Sequence, residues 1–258
     1  MSTGLPQPVG GSSPKYLTFV QGYRHTLEYA VQAALFRMRR TSDLVRSSDL
    51  LVLCNNIAMD RTTLLRFVSK YPHATRALIH SADNSEGYRC GHLLAISNTG
   101  HVWRAYSTVL FLHPDVYLLP RAVSWLHDHV TAHEADAFMV TNMFWNGVAG
   151  REFRGGGFFG TDLFTFRPPM LAPNFWSGVC KVPEGERSDL PERILYRKTR
   201  VGVNTRVLGN RTTGTAAPDA FGVWHSHTPA DVVKWLLNEH LNQARQNHGG
   251  QTMKRHIS

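Results

Sequence analysis

The chain has 258 residues, is 42% hydrophobic and carries a formal net charge of +9 with a pI near 9.8. The apolar fraction excludes global disorder, and the length fits one large α/β domain or two small ones. Three dispersed cysteines (Cys54, Cys90 and Cys180), with no CxxC spacing, argue against a disulfide framework and a cysteine zinc site and favour a reducing compartment.

Residues 1–14 are Gly/Ser/Pro-rich, lack the charged start and apolar run of a signal peptide, and read as a disordered leader. Residues 15–21 (KYLTFVQ) read as a buried strand. Residues 25–40 follow with apolar side chains at Leu27, Val31, Ala34, Leu35 and Met38, which is helical spacing. Residues 49–54 (DLLVLC) predict a second strand, closed by Asn55 and Asn56 as turn residues. Asp60 is a candidate N-cap for a helix through Lys70. A third strand is expected over 74–80, a helix over 88–98, a fourth strand over 108–112 (TVLFL) and a helix over 120–132. Short strands that are apolar on both faces and alternate with helices predict a parallel sheet covered on both sides. Ligands of such sheets sit beyond the carboxyl ends of the strands.

The second half is less regular. A strand is expected over 137–140 and an extended strand over 158–166, after the triple glycine Gly155-Gly156-Gly157. A helix is expected from 188 to 200. Residues 202–219, rich in Gly, Thr and Asn, read as a mobile loop, and 230–246 as a C-terminal helix. No apolar run approaches the length needed to cross a bilayer. The expected location is therefore cytoplasmic, free or peripheral to a membrane. The basic residues are spread along the chain apart from 37–40 and 193–200, which fits a cationic surface plus a phosphate site rather than a nucleic-acid arm.

The most informative segment is 109–120, VLFLHPDVYLLP, in which an apolar strand runs into His113-Pro114-Asp115. It resembles the Asp-x-Asp-type motif of the GT-A glycosyltransferase superfamily, family-2-like in its order of elements. His113 stands in the first motif position and Asp115 in the last. The resemblance implies an α/β fold of GT-A type: Rossmann-like, with a mostly parallel central sheet flanked by helices and a small acceptor-side subregion. It also implies a nucleotide-sugar-binding half over 15–132 and an acceptor-binding, catalytic half over 133–258. In the family the last motif residue binds a divalent cation bridging the donor diphosphate, so Mn²⁺ or Mg²⁺ is the expected cofactor. Histidine is a poor Mg²⁺ ligand but an acceptable Mn²⁺ one. The alternative is that Asp115 caps a loop and His113 packs locally.

The same resemblance implies donor contacts at the strand ends: Gln21 and Tyr23, then Asn55 and Asn56, then Ser81, Asp83 and Asn84. Arg89 and a helix start near it offer charge and N–H groups to a phosphate. Asp162, in the aromatic stretch FFGTDLFTFRP, is a candidate for sugar hydroxyls. Asp189, then Glu192, then Asp162 are candidates for the base that takes the acceptor proton. The alternative for Asp189 and Glu192 is a helix first turn, which favours acids by its dipole. His225 and His227 in VWHSH lie on one face of an extended segment and are candidate metal or phosphate ligands. The histidines at 127, 129 and 133 read instead as a solvated helix face.

The implied activity is transfer of a sugar from a nucleotide-diphosphate sugar, UDP before GDP, to a hydroxyl of a glycan or glycoconjugate, with inversion favoured. No specific nucleic-acid partner and no transmembrane segment are expected. A sugar nucleotidyltransferase and a noncatalytic carbohydrate- or nucleic-acid-binding relic of the fold stand as alternatives. The first strand is followed by QGYRHTLEY rather than a basic Gly-rich loop, which counts against the nucleotidyltransferase.

Overall fold

The computed structural model describes residues 16–22, 48–55, 77–82, 91–113, 115–145, 159–179, 191–213, 216–226 and 228–253. The expected helices over 25–40 and 60–70 lie outside them. The strands are β1 (Tyr16–Gly22), β2 (Ser48–Asn55), β3 (Ala77–Ala82), β4 (Thr108–Leu112), β5 (Val116–Leu118), β6 (Phe138–Trp145), β7 (Leu163–Phe166), β8 (Thr205–Thr213) and β9 (Val223–His225). The helices are α1 (Gly91–Asn98), α2 (Gly100–Trp103), α3 (Pro120–Ala132), α4 (Pro191–Arg200) and α5 (Pro229–Met253). Among the described residues, no helix is long and apolar enough to cross a membrane.

One seven-stranded sheet spans both halves of the sequence in the order β3-β2-β1-β4-β7-β6-β8, and β5 and β9 form a second, two-stranded sheet. β1 to β4 run parallel, β7 runs antiparallel between β4 and β6, and β6 and β8 pair in parallel. The fold class is therefore the expected one: α/β, with a mostly parallel central sheet flanked by helices and a small subregion beside it. β1 has β2 on one side and β4 on the other, so the strand order reverses there. A crevice at such a switch point, at the carboxyl ends of the strands, is where open α/β sheets take ligands.

β4 explains its own position. All five of its residues are buried, as a strand covered on both faces requires. Around it Phe111, Phe138, Phe164, Phe166, Trp103 and Trp176 form a continuous aromatic core. Phe138 stacks on Phe164 and Phe166 and meets Trp176 edge-on, with no exposed surface. The Trp103 indole N–H donates to the Ile96 carbonyl at 2.7 Å, so its polar end is satisfied inside the core. A smaller cluster of Tyr117, Leu119, Trp224 and Val232 seats α5 against the two-stranded sheet. α3 begins with Pro120 at its first turn, where a missing N–H costs nothing, and buries Ala122, Val123, Leu126 and Val130 along one stripe.

One expectation fails. The stretch 202–219 is no mobile loop over half of its length, because Thr205–Thr213 is a nine-residue strand paired with β6. Its polar composition suits its place at the end of the sheet order, where one side has no neighbouring strand among the described residues. β5 was not expected at all; its three residues are too few to show a period. Other bounds shift: the third strand lies at 77–82 instead of 74–80, β6 extends to 145, and α5 runs on to 253. The expected strand 158–166 is paired over 163–166, with a single bridge from Phe159 to Asn142 upstream.

Because Phe138 fills the middle of the aromatic core, Phe138→Ala should destabilise the fold by about 3–5 kcal/mol, measured as a shift of the urea midpoint at unchanged slope.

Candidate functional site

Three chain segments far apart in sequence meet at the carboxyl end of β4. β4 delivers His113 and, beyond it, Asp115. β7 is antiparallel to β4, so its start lies beside the end of β4, and the His113 N–H donates to the Asp162 carbonyl at 2.8 Å. β9 pairs with β5 so that His225 lies opposite Val116, and the Ser226 N–H donates to the Asp115 carbonyl at 3.1 Å. The two backbone bonds thus bring Asp162 to His113 and His225 to Asp115.

Nε2 of His225 lies 3.2 Å from Asp115 Oδ2, and its Nδ1 lies 3.1 Å from Asp162 Oδ2. His113 Nδ1 is 3.7 Å from Asp115 Oδ1. His113, Asp115 and His225 each offer one ligand atom, all within 4.8 Å of one another. Two imidazole nitrogens and a carboxylate oxygen are a donor set that suits a first-row transition ion such as Mn²⁺ better than Mg²⁺. His113 and Asp115 are partly exposed and His225 is buried, so the group opens to one side.

Behind His225 lies a buried ion network. Asp162 is 1% exposed and Arg211 is 1% exposed. Arg211 Nη1 donates to Asp162 Oδ2 at 3.0 Å, and its Nε donates to Asp219 Oδ2 at 3.1 Å. Burial alone would raise the Asp162 carboxyl; the Arg211 guanidinium and the His225 ring outweigh it and hold that carboxyl well below the usual range. Burial alone would lower His225; the Asp115 and Asp162 carboxylates raise it instead to about 10. In the metal-free protein its ring is thus a cation between two anions.

Glu192 reaches the same place from α4. It sits in the first turn of that helix and accepts a hydrogen bond from the Thr161 hydroxyl at 3.1 Å, the residue next to Asp162. Burial raises its carboxyl pKa, and the negative Asp162 adds to that.

Of the other expected site residues, Gln21, Asn55 and Ser81 lie at the carboxyl ends of β1, β2 and β3, along the same sheet edge. Tyr23, Asn56, Asp83, Asn84, Arg89, Asp189 and His227 lie outside the described residues. Asp162 is not on an accessible acceptor strand; it is interior and ion-paired. On α3, His129 Nδ1 faces the Trp125 carbonyl at 2.8 Å, and the His133 ring lies 5.9 Å from it. Arg211, Asp219 and Thr161 were not singled out from the sequence. The only cue to Arg211 was a charge inside a polar stretch.

No family model matches the chain, and no curated protein matches it in sequence. Among solved structures, it is similar to the inositol-1-phosphate CTP transferase from T. maritima, with 11% identity over 86% of this chain and 92% of that one, at a TM-score of 0.47. It is also similar to S. aureus TarS 1–349, with 16% identity over 82% and 60%, at a TM-score of 0.49. A third is the mannosyltransferase PcManGT from Pyrobaculum calidifontis in complex with GDP-Man and Mn²⁺, with 11% identity over 80% and 58%, at a TM-score of 0.49.

The His225 shift has a sign that can be checked. A histidine raised from its ordinary 6.5 to about 10 on folding stabilises the protein fully below pH 6.5, and that stabilisation is lost as pH rises through about 10. In EDTA, the urea midpoint should therefore fall between those two values, and His225→Gln should flatten the fall.

Proposed function

We propose that this chain is a glycosyltransferase of GT-A type that moves a sugar from a nucleotide-diphosphate sugar, UDP first and GDP next, to a hydroxyl of a glycan or glycoconjugate. The observation that carries this reading is the meeting of His113, Asp115 and His225 at the end of β4, beside the switch point between β1 and β4. His113, Asp115 and His225 would hold a divalent cation, whose chemistry is to neutralise the negative charge that collects on a departing diphosphate. The ends of β1, β2 and β3, with Gln21, Asn55 and Ser81, would bind the nucleoside, and Tyr23, Asn56, Asp83, Asn84 and Arg89 are further donor-contact candidates by their place in the sequence.

Glu192 is the base of this account, ahead of Asp189. Its carboxyl pKa is raised by burial, which makes it a better proton acceptor than an exposed glutamate once it is ionised. It takes the proton of the acceptor hydroxyl as the new oxygen–anomeric carbon bond forms and the anomeric carbon–phosphate oxygen bond breaks. One displacement from the face opposite the leaving group inverts the anomeric centre. Asp162, already ion-paired twice, is withdrawn as a base and takes a positioning part.

A sugar nucleotidyltransferase is the second reading, since it would use the same sheet edge and a cation on the same phosphates. The two differ in the bond broken. Incubation of the chain and Mn²⁺ with UDP- and GDP-sugars should release the nucleoside diphosphate, identified by mass spectrometry. Release of pyrophosphate from a nucleoside triphosphate and a sugar phosphate would replace the first reading with the second. Binding without turnover in either assay would leave the noncatalytic relic. Glu192→Gln should lower kcat roughly 10²–10⁴-fold with the donor KM little changed.

A further inference from the structure

We propose that Asp162 and Arg211 form a buried brace that sets the orientation of His225 for metal binding, so that both are positioning residues of the site. The inference rests on the metal-binding reading of His113, Asp115 and His225.

A histidine's two nitrogens are not independent: the partner of one fixes which way the other points. Here Nε2 faces Asp115, on the ligand side, and Nδ1 faces Asp162, on the interior side. The Asp162 oxygen that meets Nδ1 is the same Oδ2 that accepts from Arg211. Arg211 then does a second thing. Its Nε holds Asp219, whose other oxygen accepts the N–H groups of Phe221 and Val223 at 3.0 and 2.9 Å. The Asp219 N–H also donates to the Val223 carbonyl at 2.9 Å. Those bonds shape the turn that enters β9, the strand that carries His225. One guanidinium therefore fixes both the ring, through Asp162, and the strand beneath it, through Asp219. The planar fork of arginine spans two carboxylates in a way that a lysine ammonium does not.

Stability alone is a weak reason for such a network. Burying an arginine between carboxylates is often no better for stability than packing apolar side chains in their place. Gly160 points the same way. A Cβ there would lie 2.8 Å from Asp162 Oδ1 and 3.0 Å from Thr141 Oγ1, so the chain leaves room for the carboxylate to sit where it does.

The test uses the full chain and three variants: Asp162→Asn, Arg211→Lys and Gly160→Ala. Gly160→Ala displaces the carboxylate without removing a charge, and it decides the matter should the other two fail to fold. Mn²⁺ dissociation constants are read from the electron paramagnetic resonance of free Mn²⁺. Exchange of the His225 Nδ1 proton is read by nitrogen-15 NMR of the Zn²⁺-loaded protein. The expected result is a dissociation constant raised about 10–100-fold in the folded variants, with the Nδ1 proton protected in the wild type and exposed in them. Folded variants with wild-type Mn²⁺ affinity overturn the brace while leaving the metal site standing. Weaker binding with the Nδ1 proton still protected also overturns it. A wild-type chain that binds no Mn²⁺ overturns the metal reading and the brace together.

Discussion

Asp115, Asp162 and Asp219 gather around His225 and Arg211, and carboxylates gathered in and beside a protein interior need positive charge among them. Arg211 supplies one fixed cation. It ties Asp162, at the start of β7, to Asp219, in the turn before β9. His225 supplies a second, conditional one. Between Asp115 and Asp162 it stays protonated up to about pH 10 in the metal-free chain. A divalent ion held by His113, Asp115 and His225, as proposed, would take the place of that proton, and the site would keep positive charge in either state.

The charged cluster lies where the two sheets meet. The two-stranded sheet of β5 and β9 touches the main sheet where His225 meets the HPD segment and the end of β4. The aromatic core around Phe138 supports β4 and β7 from beneath, which keeps their ends in register. The site's groups come from two strands (Arg211 and His225), from the first turn of α4 (Glu192) and from connections next to the ends of strands (His113, Asp115, Asp162 and Asp219).

Much of the fold was legible because buried parallel strands and an amphipathic helix announce themselves. The runs LTFV, LLVL and TVLFL are apolar on both faces, and residues 120–132 are helical in period and in the structure. β8 was not legible, since an edge strand can be polar and its buried side includes Arg211, which breaks the apolar pattern. His113 and Asp115 were legible through a resemblance in the motif. His225 stood beside His227 without preference, and the pairing of Val116 with His225 brings the first of them to Asp115. Arg211 was illegible because its meaning lies in a contact 49 residues away. Asp162 was seen as important for a different reason: an aspartate among phenylalanines suggests a sugar contact, whereas burial with a guanidinium makes it structural support.

The central claim is that His113, Asp115 and His225 hold a divalent cation that meets the donor diphosphate. Pulsed electron paramagnetic resonance of Mn²⁺ with the full chain and UDP tests it most directly. The account predicts modulation from two imidazole nitrogens, one from His113 and one from His225, together with coupling to phosphorus. His225→Gln should remove one nitrogen signal and leave the other. Mn²⁺ that shows phosphorus coupling from UDP but no nitrogen modulation would contradict the claim, because the ion would then bind the nucleotide without these histidines.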